Sequence, residues 1–99
     1  YYVGYFKNEK LIAVLDLIDG YPKKDIVFIG FFMMDINVQK HGIGSAIVNE
    51  LIDYLTTLEY KEVRLGWING NLQAEYFWIQ NGFCPIKEDR VVLANRTIK

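Results

Sequence analysis

The fold of this chain is decided by residues 26–58, which read IVFIGFFMMDINVQKHGIGSAIVNELIDYLTTL. The nine apolar residues from Ile26 to Met34 are too continuous for a strand with one wet face, so they predict a buried central strand. From Ile43 onward, apolar residues recur at spacings of three and four with polar residues opposite them. That period predicts an amphipathic helix of about four turns. A turn with two glycines joins the two elements.

Downstream of this helix the pattern predicts a strand, a second helix and a closing pair of strands. Val63 to Ile68 is strand-like, and because a whole helix separates it from the central strand, a parallel connection is expected. Asn71 is suited to cap a helix that runs to about Asn81, and Gly82 stands where a left-handed C-terminal residue is wanted. The segments 83–87 and 91–98 then form an antiparallel pair around a short polar turn.

Upstream, two segments rich in aromatic and branched residues form another antiparallel pair. They are Tyr1 to Phe6 and Leu11 to Ile18, joined by a polar connection of hairpin length. The predicted order is therefore β-β-β-α-β-α-β-β, an α+β fold with one mixed sheet.

Composition limits the chain to one domain and excludes several function classes. Among its 99 residues, 52% are hydrophobic, and 11 basic residues nearly balance 12 acidic ones, so neither a nucleic-acid surface nor a membrane surface is expected. The longest apolar run is far shorter than the roughly 20 residues that span a bilayer. Cys84 is the only cysteine, so no internal disulfide can form and a cytoplasmic location is expected. No metal site is expected.

The turn at residues 39–45, Gln-Lys-His-Gly-Ile-Gly-Ser, has the composition of a phosphate cradle. Its glycines let the backbone approach an anion, and the N-terminus of the following helix adds a partial positive charge. The third glycine of a dinucleotide-binding fingerprint would fall at Ile47, and no Gly-Lys-Ser or Gly-Lys-Thr follows. Both the dinucleotide fold and the P-loop are therefore excluded.

Two sequence blocks resemble the signatures of the GNAT superfamily of N-acetyltransferases. Gln39-x-x-Gly42-x-Gly44, after an apolar strand and before a helix, is similar to the family's coenzyme A pyrophosphate loop. The block from Asn71 through Phe77 and Trp78 to Gly82-Phe83 is similar to its second signature. The resemblance covers essentially the whole chain, from the second strand of that fold onward. It implies that residues 1–99 are one partial N-acetyltransferase domain that lacks the family's first strand and helices.

The resemblance also implies a set of residues that hold acetyl-CoA. The end of the central strand would offer backbone groups to the pantetheine arm, the glycine turn would bind the pyrophosphate, and Asn71 would hydrogen-bond the arm. Phe77 and Trp78 would lie near the thiol end. The expected cofactor-binding residues are Phe32, Met33, Met34, Gln39, Lys40, His41, Gly42, Ile43, Gly44, Ser45, Asn71, Phe77 and Trp78. Structural roles are the alternatives: Asn71 as a helix cap, and the two aromatic residues as core.

In this family an amine attacks the thioester directly, so a base and sometimes an acid take part. The acid is often a Tyr at the position that Trp78 holds here, and an indole N–H cannot give up its proton at neutral pH. Tyr76 points some 200° around the helix from Trp78 and is a poor substitute. The base candidates are Asp16, Asp35 or water, with an exposed edge position as the alternative reading of Asp16. His41 is interpreted as a solvent-facing loop residue.

The expected function is transfer of an acetyl group from acetyl-CoA to a primary amine of a small molecule or a protein. The expected partners are therefore acetyl-CoA and an amine acceptor, and a homodimer is compatible with the sequence. Two alternatives stay open: a non-catalytic acyl-CoA-binding module, and a fragment that folds through partner contacts. Because the chain begins at Tyr1 in a strand-like run, about 40 to 60 further residues are expected upstream, the length of a strand and two helices.

Overall fold

The computed structural model describes residues 1–35 and 42–98. Within them lie six strands and two helices in the predicted order. The strands are β1 (Tyr2–Lys7), β2 (Lys10–Asp19), β3 (Ile26–Met34), β4 (Glu62–Ile68), β5 (Cys84–Glu88) and β6 (Val91–Thr97). The helices are α1 (Ile43–Thr57) and α2 (Leu72–Gln80).

The strands form one mixed sheet in the order β1-β2-β3-β4-β6-β5. Every neighbouring pair is antiparallel except β3 and β4, which run parallel, as the intervening helix requires. The α+β class and the element order predicted from the sequence are thus confirmed. The predicted bounds differ from the observed ones by one residue at several strand ends, where hydrogen bonding to a neighbouring strand decides the limit.

The second helix has the cap that its sequence predicts, whereas no side-chain cap is seen at the start of α1. Gly42 precedes α1 with φ of 70°, and Asn71 caps α2 by accepting a hydrogen bond from the amide of Ala74 at 3.2 Å. Gly82, just beyond the C-cap of α2, has φ of 89°, the left-handed conformation expected there.

One face of the sheet carries the hydrophobic core. The apolar side of α1, with Val48 and Leu51, packs onto alternating residues of the central strands, which are almost completely buried: Leu15, Val27, Ile29, Val63, Leu65, Val92 and Ala94. Because side chains alternate along a strand, the residues between these point to the other face. We call the first face the covered face.

The other face, which we call the bare face, has no helix on it among the described residues. Val14, Asp16 and Ile18 of β2 lie there, since their neighbours Leu15 and Leu17 are buried on the covered face. Several large apolar side chains of this face are exposed: Tyr2, Phe6, Leu11, Ile18 and Met33. Neither described helix is long and apolar enough to cross a membrane.

Candidate functional site

A cleft opens in the sheet where the two parallel strands separate. The β3–β4 pairing runs from Ile26–Glu62 to Ile29–Leu65 and stops there, although β3 continues to Met34 and β4 to Ile68. Among the described residues, the pairing of β3 with β4 therefore covers only residues 26–29 of β3. The separation predicted for the pantetheine arm is therefore present in the backbone.

A cavity of about 640 Å³ lies at this end of the sheet. Its walls come from the end of β3, the start of α1 and one side of α2. The lining residues are Phe32, Met34, Gly44, Asn71, Gln73, Ala74, Tyr76, Phe77, Trp78 and Gln80. Six of the predicted cofactor residues, namely Phe32, Met34, Gly44, Asn71, Phe77 and Trp78, thus line one cavity.

The start of α1 lies at this cavity, and its first turn carries backbone N–H groups that have no partner within the helix. Gly42 makes no side-chain cap, no acidic residue lies in the first turn, and Gly44 is buried against the lining. A Cβ at Gly44 would lie 3.0 Å from Met34 Sδ and 3.1 Å from a ring carbon of Phe77. Only glycine lets the helix approach these side chains so closely, and a helix N-terminus without a cap is suited to an anion.

A buried asparagine ties the two helices together beside the turn. Asn81 donates through Nδ2 to Ser45 Oγ at 3.2 Å and to the Phe77 carbonyl at 2.8 Å. Its own carbonyl accepts from Arg96 Nη1 at 2.8 Å. These bonds fix the first turn of α1 against the end of α2, so the two signature blocks are held at one site.

The remaining predicted cofactor residues are placed as follows. Ile43 is half-buried against the core, and Gly42 is exposed ahead of α1. Met33 pairs with Val14, so its side chain points to the bare face, and only its backbone is available to the cleft. Gln39, Lys40 and His41 lie outside the described residues.

Aromatic rings form the inner wall of the cavity. The Trp78 ring makes edge contacts with Phe32, Phe77 and Phe83, with centroid separations of 5.6, 4.8 and 5.4 Å. Edge-to-face packing of this kind holds the rings in fixed orientations. Trp78 is therefore a core residue that also lines the cavity, and its contact with the thiol end of a cofactor stays a prediction.

The two carboxylates predicted as bases differ in their surroundings. Asp35, at the end of β3, forms an ion pair with Lys10 at 3.2 Å. Asp16 lies in the middle of β2 on the bare face, with its side chain 26% exposed and the α-ammonium of Tyr1 3.7 Å away. The structure does not bring Asp16 and Asp35 together, because they lie on different strands and at different levels of the sheet.

Sequence reasoning did not single out four lining residues of α2. Gln73, Ala74 and Gln80 share the side of Phe77 at spacings of three and four, a pattern visible in the sequence. Tyr76 also borders the cavity, and its hydroxyl accepts a hydrogen bond from Gln80 at 2.9 Å. The sequence argued against Tyr76 only as a substitute for an acid at the position of Trp78; both residues border the cavity.

Comparison with known families agrees with this geometry. Residues 1–83 match the acetyltransferase (GNAT) family. No curated protein sequence matches the chain significantly.

Solved structures of acetyltransferases share the fold at low sequence identity. The ribosomal-protein-S18-alanine N-acetyltransferase of Escherichia coli matches 99% of this chain with a TM-score of 0.84 and 19% identity. The PaiA N-acetyltransferase of Thermoplasma acidophilum, solved with coenzyme A, matches 97% with a TM-score of 0.83 and 18% identity. A Bacillus subtilis acetyltransferase, solved with CoA, matches 93% with a TM-score of 0.78 and 19% identity. The chain spans 70%, 59% and 72% of these three structures.

Proposed function

The chain belongs to the GNAT acetyltransferase family, and from that premise we propose that it transfers an acetyl group from acetyl-CoA to a primary amine of a small molecule or protein. The observation that carries the proposal is the cavity at the strand separation; at its edge lies the N-terminus of α1, which has no side-chain cap among the described residues. We also propose that residues 1–99 form part of one N-acetyltransferase domain, since the chain spans only 59–72% of the three structures compared.

The pyrophosphate of CoA is proposed to bind the turn from Lys40 to Ser45. Of this turn the structure describes residues 42–45, whose approach to the cavity is described above. Backbone N–H groups at the start of α1 would donate to the phosphate oxygens, and the helix dipole would favour their charge. The crystal complexes of two similar folds with coenzyme A support this ligand.

The pantetheine arm is proposed to lie between the separated strands. It would lie along residues 32–34 of β3, beyond the end of the pairing with β4, while Asn71 hydrogen-bonds the arm from the start of α2. Asn71 Oδ1 already accepts from Ala74, so its amide group Nδ2 is the donor available to the arm. The thioester end would then contact Phe77 and Trp78.

In the proposed reaction the acceptor nitrogen bonds to the thioester carbonyl carbon, and the C–S bond breaks to release the CoA thiolate. The amine proton passes to a base or to water. The chain's contribution is to hold the two reactants together and to exclude water through its aromatic wall. Trp78 cannot supply a proton to the thiolate.

A non-catalytic acyl-CoA-binding module is the second candidate function. It is favoured by one observation: Trp78, which lines the cavity where the proposed thioester would lie, is not an acid. Both candidates require CoA binding, and only the first requires release of free CoA that depends on an amine.

The test compares Gly44→Asp with Asn49→Asp, which adds the same charge on the exposed side of α1. The first substitution places a carboxylate against Met34 and Phe77, where it fills the cavity edge and repels phosphate. Calorimetry should show a loss of CoA affinity of about tenfold or more for Gly44→Asp only, which corresponds to about 1.4 kcal/mol. Undiminished affinity would refute the placement of the pyrophosphate. Thiol release with an amine library then separates catalysis from binding.

A further inference from the structure

Three residues from neighbouring strands form a row across the bare face. In the strand register Tyr2 of β1 is opposite Asp16 of β2, and Asp16 is opposite Phe31 of β3. Residues directly opposite one another project to the same face. The rings of Tyr2 and Phe31 have centroids 5.8 Å apart, although a whole strand separates their backbones. The two rings therefore meet above β2, beside the Asp16 side chain.

The Asp16 carboxylate occupies the space above Gly30. Pairing shifts by one residue here, since Asp16 is opposite Phe31 while Leu17 is opposite Ile29, so Gly30 is the extra residue of a β-bulge. A Cβ on Gly30 would lie only 2.9 Å from Asp16 Oδ2. The absence of a side chain at Gly30 is what allows the carboxylate to lie there.

This position coincides with the start of the cleft. Gly30 directly follows Ile29, and Gly66 directly follows Leu65, the last residues that pair β3 with β4. Ile29 and Leu65 face the core, so the next residue of each strand faces the bare face, and both are glycine. Asp16 therefore lies on the bare face at the level where β3 and β4 begin to separate.

The Asp16 carboxylate is partly buried, and few groups nearby stabilise its charge. No hydrogen bond reaches it from residues 1–35 or 42–98, and its one ion pair there is the 3.7 Å contact with the α-ammonium of Tyr1. A partly buried carboxylate without hydrogen bonds is stabilised by a cation.

We propose that Asp16, flanked by Tyr2 and Phe31, binds the protonated amine of the acceptor and selects primary ammonium compounds that carry an apolar body. The carboxylate would take the ammonium, and the two rings would contact both the cation and the apolar substituent. A carboxylate on the acceptor next to the amine would be repelled by Asp16. This inference rests on the proposed acetyltransferase function and identifies its acceptor class.

The test uses the full chain and 2-phenylethylamine as the probe, followed by NMR at neutral pH. Phenylalanine, the same compound with an added carboxylate, is the matched probe. Binding of 2-phenylethylamine should shift the ring resonances of Tyr2 and Phe31, and phenylalanine should bind at least about tenfold more weakly. Asp16→Asn should lower the affinity for 2-phenylethylamine about tenfold or more, as expected when a charged hydrogen-bonded partner is lost.

Gly30→Ala provides a second perturbation that leaves Asp16 in place. Its Cβ would displace the carboxylate, so it should weaken amine binding as Asp16→Asn does. Asp53→Asn, on the exposed side of α1, removes the same charge elsewhere and should change nothing. Unfolding midpoints of all variants establish that each protein is folded before binding is compared.

Four outcomes overturn the inference: no binding of 2-phenylethylamine, shifts confined to other residues, equal affinity in Asp16→Asn, or equal binding of phenylalanine. Acetyl transfer assays test the acceptor site and the proposed acetyltransferase function separately. If the wild-type chain acetylates amines and Asp16→Asn has the same KM, the acceptor site is wrong and the function stands. If the amine binds at Asp16 and no transfer occurs, the site stands and the function is wrong.

Discussion

The two faces of the sheet differ in how far their apolar residues are buried. On the covered face Leu15, Leu65 and Val92 are at most 1% exposed beneath α1 and α2. On the bare face Tyr2 and Phe6 are 75% and 67% exposed. Large aromatic side chains gain little by lying in water, so contiguous exposure of this kind marks a surface that contacts something else.

This difference in burial indicates that the two faces of the sheet have different roles. The covered face supplies the stability of the fold and one wall of the cofactor cavity. The bare face supplies little packing energy among the described residues, and it carries the carboxylate that we assign to the acceptor. Substitutions on the two faces should therefore affect different measurements.

The largest effect is expected from a matched pair of phenylalanines. Phe83 is 1% exposed and packs against Trp78, whereas Phe6 lies on the bare face. Phe83→Ala should lower the free energy of unfolding by about 3 to 5 kcal/mol, because it leaves a cavity in the core. Phe6→Ala should change it by no more than about 0.5 kcal/mol. Denaturant titration measures both, and a comparable loss for Phe6→Ala would show that the bare face is packed in the full protein.

A second prediction concerns Trp78, where the core meets the cavity. Trp78→Ala should weaken acyl-CoA binding about tenfold or more, because the ring contacts with Phe32 and Phe77 disappear. Trp78→Phe keeps an aromatic wall and should retain most of the chemical rate, and Trp78→Tyr should also change little. Single-turnover acyl transfer across pH measures this rate. A hundredfold loss in Trp78→Phe with unchanged cofactor affinity would show instead that the indole N–H acts in the transition state.

The smallest effect is expected in the polar part of the bare face. Glu62 accepts hydrogen bonds from Arg64 Nε and, at 3.0 Å, from Asn95 Nδ2. The Arg64 hydrogen bond is the main reason that the pKa of Glu62 lies below its usual value; burial opposes this shift, and Asn95 adds to it. Glu62→Gln should therefore lower stability by about 1 kcal/mol at neutral pH.

The pH dependence follows from the direction of this shift. A carboxylate whose pKa is lower in the folded state adds stability above its unfolded pKa, and this contribution is lost as the pH falls through the folded pKa. The difference between wild type and Glu62→Gln should therefore decrease as the pH falls below about 4.3, the usual pKa of a glutamate. Glu88→Gln, exposed on β5, is the control. A difference that is constant down to pH 2 would contradict the ionic origin of the effect.

Much of the cofactor side could be predicted because its signals are local. The apolar run of β3, the glycines at 42 and 44 and the three-to-four spacing of α1 are neighbours in the chain, and each fixes its own conformation. Asn71 and Gly82 likewise bound α2 through short-range hydrogen bonds and backbone geometry. The element order and the residues that meet around the cavity follow from these patterns.

The acceptor side could not be predicted in the same way. The sequence identified Asp16 as an unusual charge within an apolar strand, but gave no means of choosing between an exposed edge and a cleft. Tyr76 was set aside as a substitute acid because of its direction around α2, and only the structure shows that it borders the cavity.

By itself, the sequence determined the fold class and the order of the elements, because these depend on residues close together in the chain; the turn suited to phosphate stays a prediction. The tertiary structure alone decided that Asp16 lies above Gly30 between Tyr2 and Phe31. That arrangement depends on the register of three strands and on a one-residue bulge in β3. A shift of one residue would turn Asp16 to the other face, and register is set by pairing between distant segments, which no local pattern records.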